Sequence, residues 1–565
     1  MMKAENRVNG QFSWILGIIL FALLIIMGCQ QGNKNQKGSE EMSSTVMPPE
    51  GDNAFIDITG PAGINFKHTI GDHHLSNLVE SVGGGAALFD YDQDGYLDLY
   101  LVNGSHNSDL SAQEEELDFT PVNELYRNLG DGTFQEVTRK ARVGDNGYGM
   151  GVTIGDFDND GYPDIYVSNY GPNRLYRNKR DGTFEDVANK AGVDGNETSV
   201  GAVWFDYDND SHLDLYVGNY IKFDPEYEYY YAPDGFPGPM AYDGQPDRLY
   251  HNNGNGTFKD VTEQMGMFNP EGRAMGVGSA DYNNDGWMDI YVANDHMVNY
   301  LYENLGGKSF KDVGVATGTA FNQVGEATIS MSVDFADFNG DGLLDLFVSD
   351  DGYCSLFANQ GDNIFNEMSY HAGIAQASGQ HVGWATAFID FDNDGDKDIF
   401  KVNGELKHLY GQEDQLFENV DVEKFNDISV ESGPHFQQEK VSRGACFGDY
   451  DNDGDIDVYI VNLDDYGILL RNDTGNRNNW LILHLKGKVS NRDAIGARVK
   501  ITVNGVNQID QKKGGCGYLS QNDPRLHFGL GAAEVVEKIE IIWPAGNEQV
   551  LENVEANQIM VIEEE

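Results

Sequence analysis

The chain has 565 residues, with 37 Lys+Arg against 92 Asp+Glu, and its formal net charge is −55. A phosphate backbone is bound by a cationic surface, so this balance excludes DNA and RNA as partners. Hydrophobic residues make up 40%, including 29 Phe and 29 Tyr, which supports a sizeable core. The 68 Gly and 15 Pro predict short strands joined by tight turns, and 4 Cys are too few for a disulfide scaffold.

The N-terminus carries the pattern of an export signal. Lys3 and Arg7 precede a mostly apolar stretch at residues 12–27, which is short for a spanning helix. The following Gly28-Cys29 completes a run at residues 26–29 that resembles a bacterial lipobox. We expect residues 1–28 to be a lipoprotein signal peptide, Cys29 to be lipidated, and the polar residues 29–50 to be a flexible tether. The alternative is an uncleaved signal anchor with an incidental Cys.

This interpretation also predicts the location and the cysteine chemistry. Gln30 follows the Cys, where an Asp would favour retention in the inner membrane, so we expect an exported protein anchored to the outer membrane, facing the periplasm or the cell surface. Three Cys remain without Cys29, and an odd number leaves at least one thiol free or paired with another chain.

Three short motifs recur seven times each from residue 55 to residue 472. The first is D-x-[DN]-x-D-G-x-x-D, with copies starting at Asp90, Asp156, Asp206, Asp281, Asp337, Asp390 and Asp449. The second is Leu-x-x-Asn with an apolar second residue, and the third is Phe-x-[Asp/Glu]. Internal repetition at this period predicts a solenoid or a propeller.

The order of the motifs favours the propeller. Each unit reads as a small-residue strand, the Asp loop, an apolar strand and a hairpin, which together have the four strands of one propeller blade. One Phe strand is spare at residues 55–59, and the seventh unit lacks its Phe strand after Asn472. If residues 55–59 complete the last blade, the ring closes and no edge strand stays exposed. The sequence therefore predicts an all-β fold with a seven-bladed β-propeller at residues 51–475.

The Asp loops are candidate calcium sites. Carboxylates at positions 1, 3, 5 and 9, a Gly at position 6 and a backbone carbonyl at position 7 match the first part of a calcium loop. Clustered carboxylates repel one another unless a cation joins them. We therefore expect up to seven structural Ca²⁺ ions. The predicted ligands are Asp90, Asp92, Asp94, Tyr96 and Asp98; Asp156, Asp158, Asp160, Tyr162 and Asp164; Asp206, Asp208, Asp210, His212 and Asp214; Asp281, Asn283, Asp285, Trp287 and Asp289; Asp337, Asn339, Asp341, Leu343 and Asp345; Asp390, Asp392, Asp394, Asp396 and Asp398; and Asp449, Asp451, Asp453, Asp455 and Asp457.

The seven loops differ in their expected strength. Asn283 and Asn339 each replace a carboxylate, so these two loops should bind a cation more weakly. Ser211 stands where Gly is expected, and a residue with a Cβ costs about 1 kcal/mol in a left-handed conformation. We expect this third loop to be the most distorted. A single copy of the motif could also be a solvated Asp turn, but seven copies at one point of a repeat favour metal binding.

These units resemble the FG-GAP/VCBS repeats of integrin-like propellers. The resemblance covers residues from about 51 to 475 and includes the motif, its spacing and its copy number. It implies Ca²⁺ ions that are structural and not catalytic.

A different pattern begins at about residue 476. Strand-like runs at residues 480–485, 497–503, 538–543 and 558–563 predict a small β-sandwich at residues 476–565. The runs at 491–499, 517–521, 527–531 and 543–546 resemble the ASPIC/UnbV domain. Together with the propeller, the whole chain resembles the cartilage-acidic-protein/UnbV-like family, which implies an extracellular matrix or surface protein and no particular reaction. Cys516 departs from the family pattern and leaves a possible free thiol.

Sequence motifs of catalysis are missing from the chain. It contains no G-x-S-x-G, P-loop or H-E-x-x-H pattern. His73 and His74 could bind a transition metal or lie in a solvated loop. The aromatic insertion at residues 221–247 could contact a sugar or protein ligand, or it could be a lid packed on the propeller.

Two functions follow from these observations. The first is a calcium-stabilised, non-enzymatic binding or adhesion lipoprotein, held at the membrane through the lipid on Cys29, with an unidentified glycan or protein ligand. The alternative is a polysaccharide-acting enzyme with its active site on one propeller face.

Overall fold

The computed structural model describes residues 54–111, 121–229, 235–420, 422 and 424–565. The predicted signal peptide, Cys29 and tether lie outside the described residues. Within the described part, the helices are short, and none is long and apolar enough to cross a membrane. Residues 52–565 form one compact unit.

After a first strand β1 (Phe55–Asp57), the repeats fold into antiparallel blades of four strands, and the fourth and fifth blades are joined into one sheet by the pairing of Asp295 with Ile329. Blade 1 contains β2 (Ala86–Phe89), β3 (Asp98–Leu101), β4 (Glu124–Asn128) and β5 (Phe134–Glu136). Blade 2 contains β6 (Tyr148–Gly155), β7 (Asp164–Tyr170), β8 (Arg174–Asn178) and β9 (Phe184–Asp186). Blade 3 contains β10 (Ser199–Phe205), β11 (Asp214–Asn219), β12 (Arg248–Asn252) and β13 (Phe258–Asp260).

The remaining blades repeat this order. Blade 4 contains β14 (Ala274–Ala280), β15 (Asp289–Met297), β16 (Tyr300–Asn304) and β17 (Phe310–Asp312). Blade 5 contains β18 (Thr328–Ala336), β19 (Asp345–Asp350), β20 (Ser355–Asn359) and β21 (Phe365–Glu367). Blade 6 contains β22 (Gly383–Ile389), β23 (Asp398–Asn403), β24 (Gln415–Asn419) and β25 (Phe425–Asp427). Blade 7 contains β26 (Ser442–Gly448), β27 (Asp457–Asn462) and β28 (Ile468–Asn472).

Short helices connect the blades. They are α1 (Leu78–Ser81), α2 (Thr138–Ala141), α3 (Ala188–Ala191), α4 (Gly314–Thr317), α5 (Ser369–Ala372), α6 (Ile374–Ser378) and α7 (Ser429–Ser432). Single 3₁₀ turns lie at Pro239–Ala241, Pro434–Gln437 and Gly475–Arg477.

The N-terminal strand closes the ring as predicted. β1 pairs antiparallel with β28, with Phe55 opposite Asn472 and Asp57 opposite Leu470. Blade 7 therefore takes its fourth strand from the start of the chain. Phe55 is fully buried and meets Phe400 and Phe436 edge-on, at ring-centroid distances of 5.6 and 5.9 Å. The apolar side chain thus anchors the strand that removes the open sheet edge.

The C-terminal region is a β-sandwich. Its three-stranded sheet has the order β32 (Leu526–Gly531), β29 (Asn479–Lys486), β35 (Gln558–Glu563), with β29 and β35 parallel. Its four-stranded sheet has the order β31 (Val506–Gln511), β30 (Arg498–Val503), β33 (Val535–Ile542), β34 (Glu548–Glu555). Apolar residues from both sheets share one core. Four of the seven strands were predicted at nearly these bounds. In the other three, β31, β32 and β34, polar residues interrupt the apolar residues.

The sandwich sends one segment into the propeller. Residues 513–523, between β31 and β32, bond to the innermost strands of several blades; we call this segment the plug. The amide of Trp204 donates to the Gly514 carbonyl at 3.2 Å, and the amide of Val152 donates to the Leu519 carbonyl at 3.0 Å. Tyr518 is fully buried against the Trp384 ring, with centroids 5.2 Å apart. The plug therefore fills the central channel of the propeller. The repeated motifs of the sequence do not indicate this contact.

Candidate metal centres

Each Asp loop is built around its first aspartate. In the loop of blade 1, the carboxylate of Asp90 accepts the amides of Asp94 at 3.0 Å and Gly95 at 2.9 Å. The carboxylate of Asp94 then accepts the amide of Tyr96 at 3.1 Å. The same bonds to the first aspartate recur in the other loops. These bonds fold the backbone into a tight turn that gathers the carboxylates.

The backbone of the turn explains its residue types. Positions 4 and 6 have positive φ, as at Gln93 (60°) and Gly95 (93°). Asn and Gly tolerate this region best. Ser211 adopts it too, with φ of 74°, yet its amide still donates to Asp206 at 2.8 Å. The loop of blade 3 therefore keeps the common shape, unlike our expectation of distortion, because the hydrogen bonds hold Ser211 in a conformation that a Cβ disfavours.

The ninth aspartate of each loop is buried and ties the loop to its blade. Asp98 accepts the amide of Tyr91 at 2.9 Å through Oδ2 and that of Asn128 at 2.9 Å through Oδ1. Burial raises the pKa of the Asp98 carboxyl well above its usual range. This residue is thus part of the scaffold as well as a candidate ligand.

Third-position carboxylates leave buried oxygens without partners. Within the described residues, the Oδ1 atoms of Asp92, Asp158, Asp208 and Asp451 are buried and make no hydrogen bond. Several sets of carboxylate oxygens lie within 4.8 Å of one another, including those of Asp90, Asp92 and Asp94, of Asp156, Asp158 and Asp164, of Asp206, Asp208 and Asp210, and of Asp390, Asp392 and Asp398. A buried, unpaired carboxylate oxygen is costly, so these donor sets fit a hard cation.

Seventh-position residues place their backbone in the loop. Their amides all donate to the fifth aspartate at 2.9–3.2 Å, in the pairs Tyr96–Asp94, Tyr162–Asp160, His212–Asp210, Trp287–Asp285, Leu343–Asp341, Asp396–Asp394 and Asp455–Asp453. At the third position, Asn283 and Asn339 accept the amide of the fifth aspartate at 3.0 and 2.9 Å. Their side-chain oxygens are thus partly engaged inside the loop.

On the third strand of each blade, one residue sets the charge beside the Asp loop. The sequence patterns described above did not identify this residue. It is the third residue of the Leu-x-x-Asn motif: Arg127, Arg177, His251, Glu303, Ala358, Glu418 and Arg471 in blades 1 to 7. Arg127 contacts Asp92 at 2.6 Å, and Arg177 contacts Asp158 at 2.7 Å. In blade 3, Nδ1 of His251 lies 3.6 Å from Asp208 and 3.3 Å from Asp214. The signal in the sequence was that the third residue of the Leu-x-x-Asn motif varies in charge from blade to blade.

Burial, which nearby positive charges do not fully offset, raises the pKa of several loop carboxyls. It raises the pKa of Asp156, Asp206, Asp390 and Asp449 to about 8, with neighbouring carboxylates adding to the shift at Asp156 and Asp206. The ionised form of these groups is therefore unfavourable unless a positive charge lies close by.

The Asn of the Leu-x-x-Asn motif links each loop to the neighbouring blade. Nδ2 of Asn252 donates to the Phe157 carbonyl, at position 2 of the preceding blade's loop, at 2.8 Å. The same bond occurs in every blade, from Asn128, Asn178, Asn252, Asn304, Asn359, Asn419 and Asn472 to Tyr450, Tyr91, Phe157, Tyr207, Tyr282, Phe338 and Phe391. The loops therefore form a continuous ring.

The C-terminal sandwich covers the face of the propeller that carries the Asp loops. The carboxylate of Asp493 accepts the amide of Asp156 at 2.7 Å, and the amide of Gly529 donates to Asp390 at 3.1 Å. Arg525 donates to the Asp449 carbonyl at 2.5 Å. The loops are thus part of an interface inside the molecule, which argues against a role as an open ligand site.

The opposite face carries the aromatic insertion. Phe236 and Tyr242 are buried, whereas Tyr227 and Tyr229 are 42% and 50% exposed. Arg273 donates to the Tyr242 carbonyl at 2.8 Å and fixes the insertion on the blade. The described part of the insertion is therefore a packed lid with an exposed aromatic edge; Tyr230 and Tyr231 lie outside the described residues.

His73 and the described cysteines are engaged or buried, whereas His251 lies with Asp208 and Asp214 in a cluster whose ligand atoms could hold a metal ion. His73 pairs with Asp464 at 2.7 Å, which occupies its Nδ1 atom. Cys354, Cys446 and Cys516 are buried and free. Burial raises the pKa of all three thiols, so none is a ready nucleophile.

Comparison with known proteins matches both parts of the chain. The FG-GAP-like repeat model matches residues 90–167, 156–217, 240–292, 281–348 and 337–400, and the ASPIC and UnbV model matches residues 487–565. Cartilage acidic protein 1 of Mus musculus is 26% identical over 308 residues, 53% of this chain and 38% of the relative. The Homo sapiens protein is 26% identical over 53% of this chain and 37% of its own length. The chain thus spans less than half the length of these relatives.

Two solved structures are also similar. An Agrocybe aegerita lectin that recognises non-reducing terminal N-acetylglucosamine has a TM-score of 0.37 and 16% identity, covering 68% of this chain and 86% of that chain. YCF48 bound to D1 peptide has a TM-score of 0.39 and 9% identity, covering 72% of this chain and 97% of that chain. The repeat matches cover about half of the sequence. This chain therefore belongs to the FG-GAP repeat family, carries a C-terminal ASPIC and UnbV domain, and is homologous to cartilage acidic protein 1.

Proposed function

We propose that this protein is a calcium-stabilised, non-enzymatic binding or adhesion module. The observation that carries the proposal is the repeated loop in which Asp92, Asp158, Asp208 and Asp451 each keep one buried oxygen without a partner. Oxygen donors from flexible carboxylates and a backbone carbonyl suit Ca²⁺, which accepts six to eight such ligands. A bound cation would neutralise the loops and hold the blades and the sandwich together.

Chelation tests the structural role of calcium. Binding to the native state alone stabilises a protein by mass action. We expect the melting temperature to fall in EGTA, to recover with Ca²⁺, and to recover little with Mg²⁺, which demands a smaller and more rigid octahedral site. An unchanged melting curve after verified removal of metal would contradict the proposal.

Single loops can be tested with a matched pair of variants. Asp158→Asn removes a buried ligand charge, whereas Asp181→Asn in the same blade changes an exposed turn residue whose partner is Thr183. We expect Asp158→Asn to lower the calcium content by about one ion per chain, measured by elemental analysis after dialysis, and Asp181→Asn to leave it unchanged. If both variants bind the same number of Ca²⁺ ions per chain, the loop of blade 2 is not a calcium site.

The surface available for a ligand is the face opposite the Asp loops, because the sandwich covers the loops themselves. Tyr227, Tyr229 and Tyr410 are 42%, 50% and 66% exposed there. Exposed aromatic rings provide contact area at low entropic cost and suit a glycan or protein ligand. On the same face, Glu405 accepts the amides of Lys407 at 2.9 Å and His408 at 2.6 Å, so this carboxylate shapes a turn. We therefore favour binding over polysaccharide cleavage.

A screen of glycan and protein arrays with the purified protein identifies the ligand class. The discriminating variant replaces Tyr227, Tyr229 and Tyr410 by Ala, and its control replaces exposed Tyr370 by Ala. We expect the triple variant to lose array binding and the control to keep it. Turnover of a bound polysaccharide by the wild-type protein would favour the enzyme instead.

Membrane attachment through Cys29 is part of this proposal and is tested separately. The lipobox-like run before Cys29 predicts a lipid on that residue. In a bacterial host, we expect the wild-type protein to incorporate labelled fatty acid and to fractionate with the outer membrane. Cys29→Ser should abolish both results. Labelling that persists in Cys29→Ser would contradict the lipoprotein assignment.

A further inference from the structure

The imidazole of His251 distinguishes the loop of blade 3 from the other six loops. His251 is the third residue of the Leu-x-x-Asn motif, a position that holds Arg in blades 1, 2 and 7, Glu in blades 4 and 6, and Ala in blade 5. A guanidinium has no lone pair to offer, whereas a neutral imidazole is a common metal ligand. Among the seven residues at this position, His251 is thus the one that brings a nitrogen ligand to its loop.

The imidazole reaches two predicted ligands of the loop. Its Nδ1 atom lies 3.3 Å from Oδ1 of Asp214 and 3.6 Å from Oδ2 of Asp208. Within the part of the chain that the structure describes, this nitrogen and Oδ1 of Asp208 are buried and make no hydrogen bond. The three side chains place ligand atoms within 4.8 Å of one another. One nitrogen donor and two carboxylates therefore converge on a single small volume.

The spacing of these donors fits a small dication. Zn²⁺ bonds to imidazole nitrogen at about 2.0–2.1 Å and to carboxylate oxygen at about 2.0–2.2 Å, with tetrahedral geometry. Two ligands of such an ion are about 3.3–3.5 Å apart at these bond lengths. The distances of 3.3 and 3.6 Å from Nδ1 of His251 lie close to this range. The side chains of blade 3 are therefore already spaced for one tetrahedral ion.

The surrounding contacts hold these ligands in place. Asp214 is fully buried, and its two oxygens accept the amides of Asn252 at 2.7 Å and Tyr207 at 3.2 Å. The ring of Tyr207 also packs against the His251 ring, with centroids 5.9 Å apart. Outer contacts of this kind orient metal ligands. The side chains of His251 and Asp208 are each 25% exposed, so an ion can enter from solvent.

In blades 1 and 2, an arginine occupies the corresponding place. Nε of Arg127 donates to Oδ2 of Asp92 at 2.6 Å, and Nε of Arg177 lies 2.7 Å from Oδ2 of Asp158. The guanidinium neutralises the third-position carboxylate but cannot ligate a metal, because it stays charged and accepts nothing. Blade 3 therefore differs from these blades in the type of donor as well as in its charge.

We propose that the loop of blade 3 binds Zn²⁺ or a similar first-row transition-metal ion in place of Ca²⁺, through Nδ1 of His251, Oδ2 of Asp208 and Oδ1 of Asp214. The inference rests on the proposed function, in which the Asp loops hold structural cations, and it names a different ion for one loop. Imidazole nitrogen suits Zn²⁺, whereas Ca²⁺ and Mg²⁺ prefer hard oxygen ligands. The other six loops keep Ca²⁺ in this proposal.

Titration with ZnCl₂ in excess CaCl₂ tests the site in the full chain, prepared without a histidine tag. We expect one Zn²⁺ per chain by calorimetry and by elemental analysis after dialysis, because Ca²⁺ occupies the loops that offer oxygen alone. A chain that retains no Zn²⁺ would overturn this inference and leave the calcium proposal standing. One bound Zn²⁺ in a protein whose melting does not respond to Ca²⁺ would support this site and contradict the calcium proposal.

Variants then assign the ion to His251. His251→Arg installs the residue of blades 1, 2 and 7, so it keeps a positive charge beside the loop and removes the ligand. We expect Zn²⁺ to bind at least about 100-fold more weakly, since even the loss of an outer contact costs about 10–100-fold in metal affinity. His106→Gln, at an exposed position, should retain one Zn²⁺ with unchanged affinity. If His251→Arg binds Zn²⁺ like the wild type, or both variants lose it equally, the proposal fails.

A measurement on the wild-type protein covers the case in which His251→Arg does not fold. X-ray absorption at the zinc edge, on protein loaded with one Zn²⁺ per chain, reports the atoms around the ion. We expect ligand distances of about 2.0–2.1 Å and the outer scattering of one imidazole ring. A shell of oxygen ligands without imidazole scattering would overturn the proposal.

Discussion

At the scale of single residues, the asparagines of the Leu-x-x-Asn motif stabilise the ring more than their position at a strand end suggests. Asn252 is buried, and its Nδ2 donates to the carbonyls of Phe157 at 2.8 Å and Leu213 at 2.9 Å. One carbonyl belongs to the preceding blade and the other to its own loop. The side chain thus joins two Asp loops at once.

Asn252→Ala should therefore destabilise the propeller. Two buried carbonyls lose a donor, and a buried unpaired polar group costs about 1–3 kcal/mol. Asn253→Ala is the control, because Asn253 is exposed and bonds only within its own turn, to Thr257. We expect urea unfolding midpoints to fall for Asn252→Ala and to stay within error for Asn253→Ala. Equal midpoints for the two variants would contradict the role of this link.

A second prediction at this scale concerns Glu80 and the way its protonation makes the folding stability depend on pH. Its side chain is fully buried on α1, one oxygen has no partner, and burial raises the pKa of the carboxyl to about 8. The folded state thus holds a proton that the unfolded chain releases near pH 4.5. Stability from this group is present below about pH 4.5 and is lost as the pH rises towards 8.

Glu80→Gln, which is neutral at every pH, reports this effect. We expect the variant to match the wild type in melting temperature near pH 4.5 and to exceed it increasingly up to pH 8. Ser76 donates to the same carboxylate at 2.7 Å through its amide and keeps its partner in the variant. A difference between the two proteins that is constant with pH would show that Glu80 is ionised in the folded state.

At the scale of elements, β1 is the strand that closes the propeller. It contributes three residue pairs with β28, and Phe55 packs between Phe400 and Phe436. Phe55→Ala should cost roughly 3–5 kcal/mol, as for other buried Phe side chains. Deleting residues 51–60 should destabilise the propeller further, because it also exposes the edge of β28.

Deleting residues 30–49 is the control for that prediction. This polar stretch is predicted to bury no core, so the melting temperature should stay unchanged. Thermal unfolding of the two deletions and of Phe55→Ala, each at the same Ca²⁺ concentration, makes the comparison. If both deletions melt alike, the pairing of β1 with β28 does not limit stability.

At the scale of the whole molecule, the plug makes the propeller and the sandwich one folding unit. Gly514 approaches the backbone of Trp204 so closely that a Cβ would lie 1.8 Å from the Trp204 carbonyl. Only a residue without a side chain fits this contact. The plug amides and carbonyls complete hydrogen bonds of the innermost strands, so the two domains share buried polar groups.

Gly514→Ala should consequently disturb the docking of the sandwich. Overpacking of a buried site costs about 1–3 kcal/mol, and here the neighbour is rigid backbone. Gly60→Ala is the control, since a Cβ there meets nothing within 4 Å. We expect Gly514→Ala to melt earlier and to be cleaved faster by protease near residues 473–478. Unchanged melting and cleavage would show that the plug can shift without loss.

The propeller could be predicted from the sequence because its information is local and repeated. Each blade encodes its own turn chemistry, strand pattern and Asp loop, and the spare Phe strand at residues 55–59 had one place to pair. The candidate ligands of the loops were predicted from spacing alone and remain a prediction. Three strands of the sandwich were missed because polar residues interrupt their apolar residues. The charge beside each loop, such as Arg127 against Glu303, was missed because it depends on a single variable position.

The sequence by itself determined the number of blades, the closing strand, the shape of the Asp loops and the presence of a second β domain, since all of these follow from short-range patterns. Only the tertiary structure decided that the sandwich covers the Asp loops and that residues 513–523 fill the channel. These contacts join residues hundreds of positions apart. They depend on shape and on buried polar groups that no local pattern records.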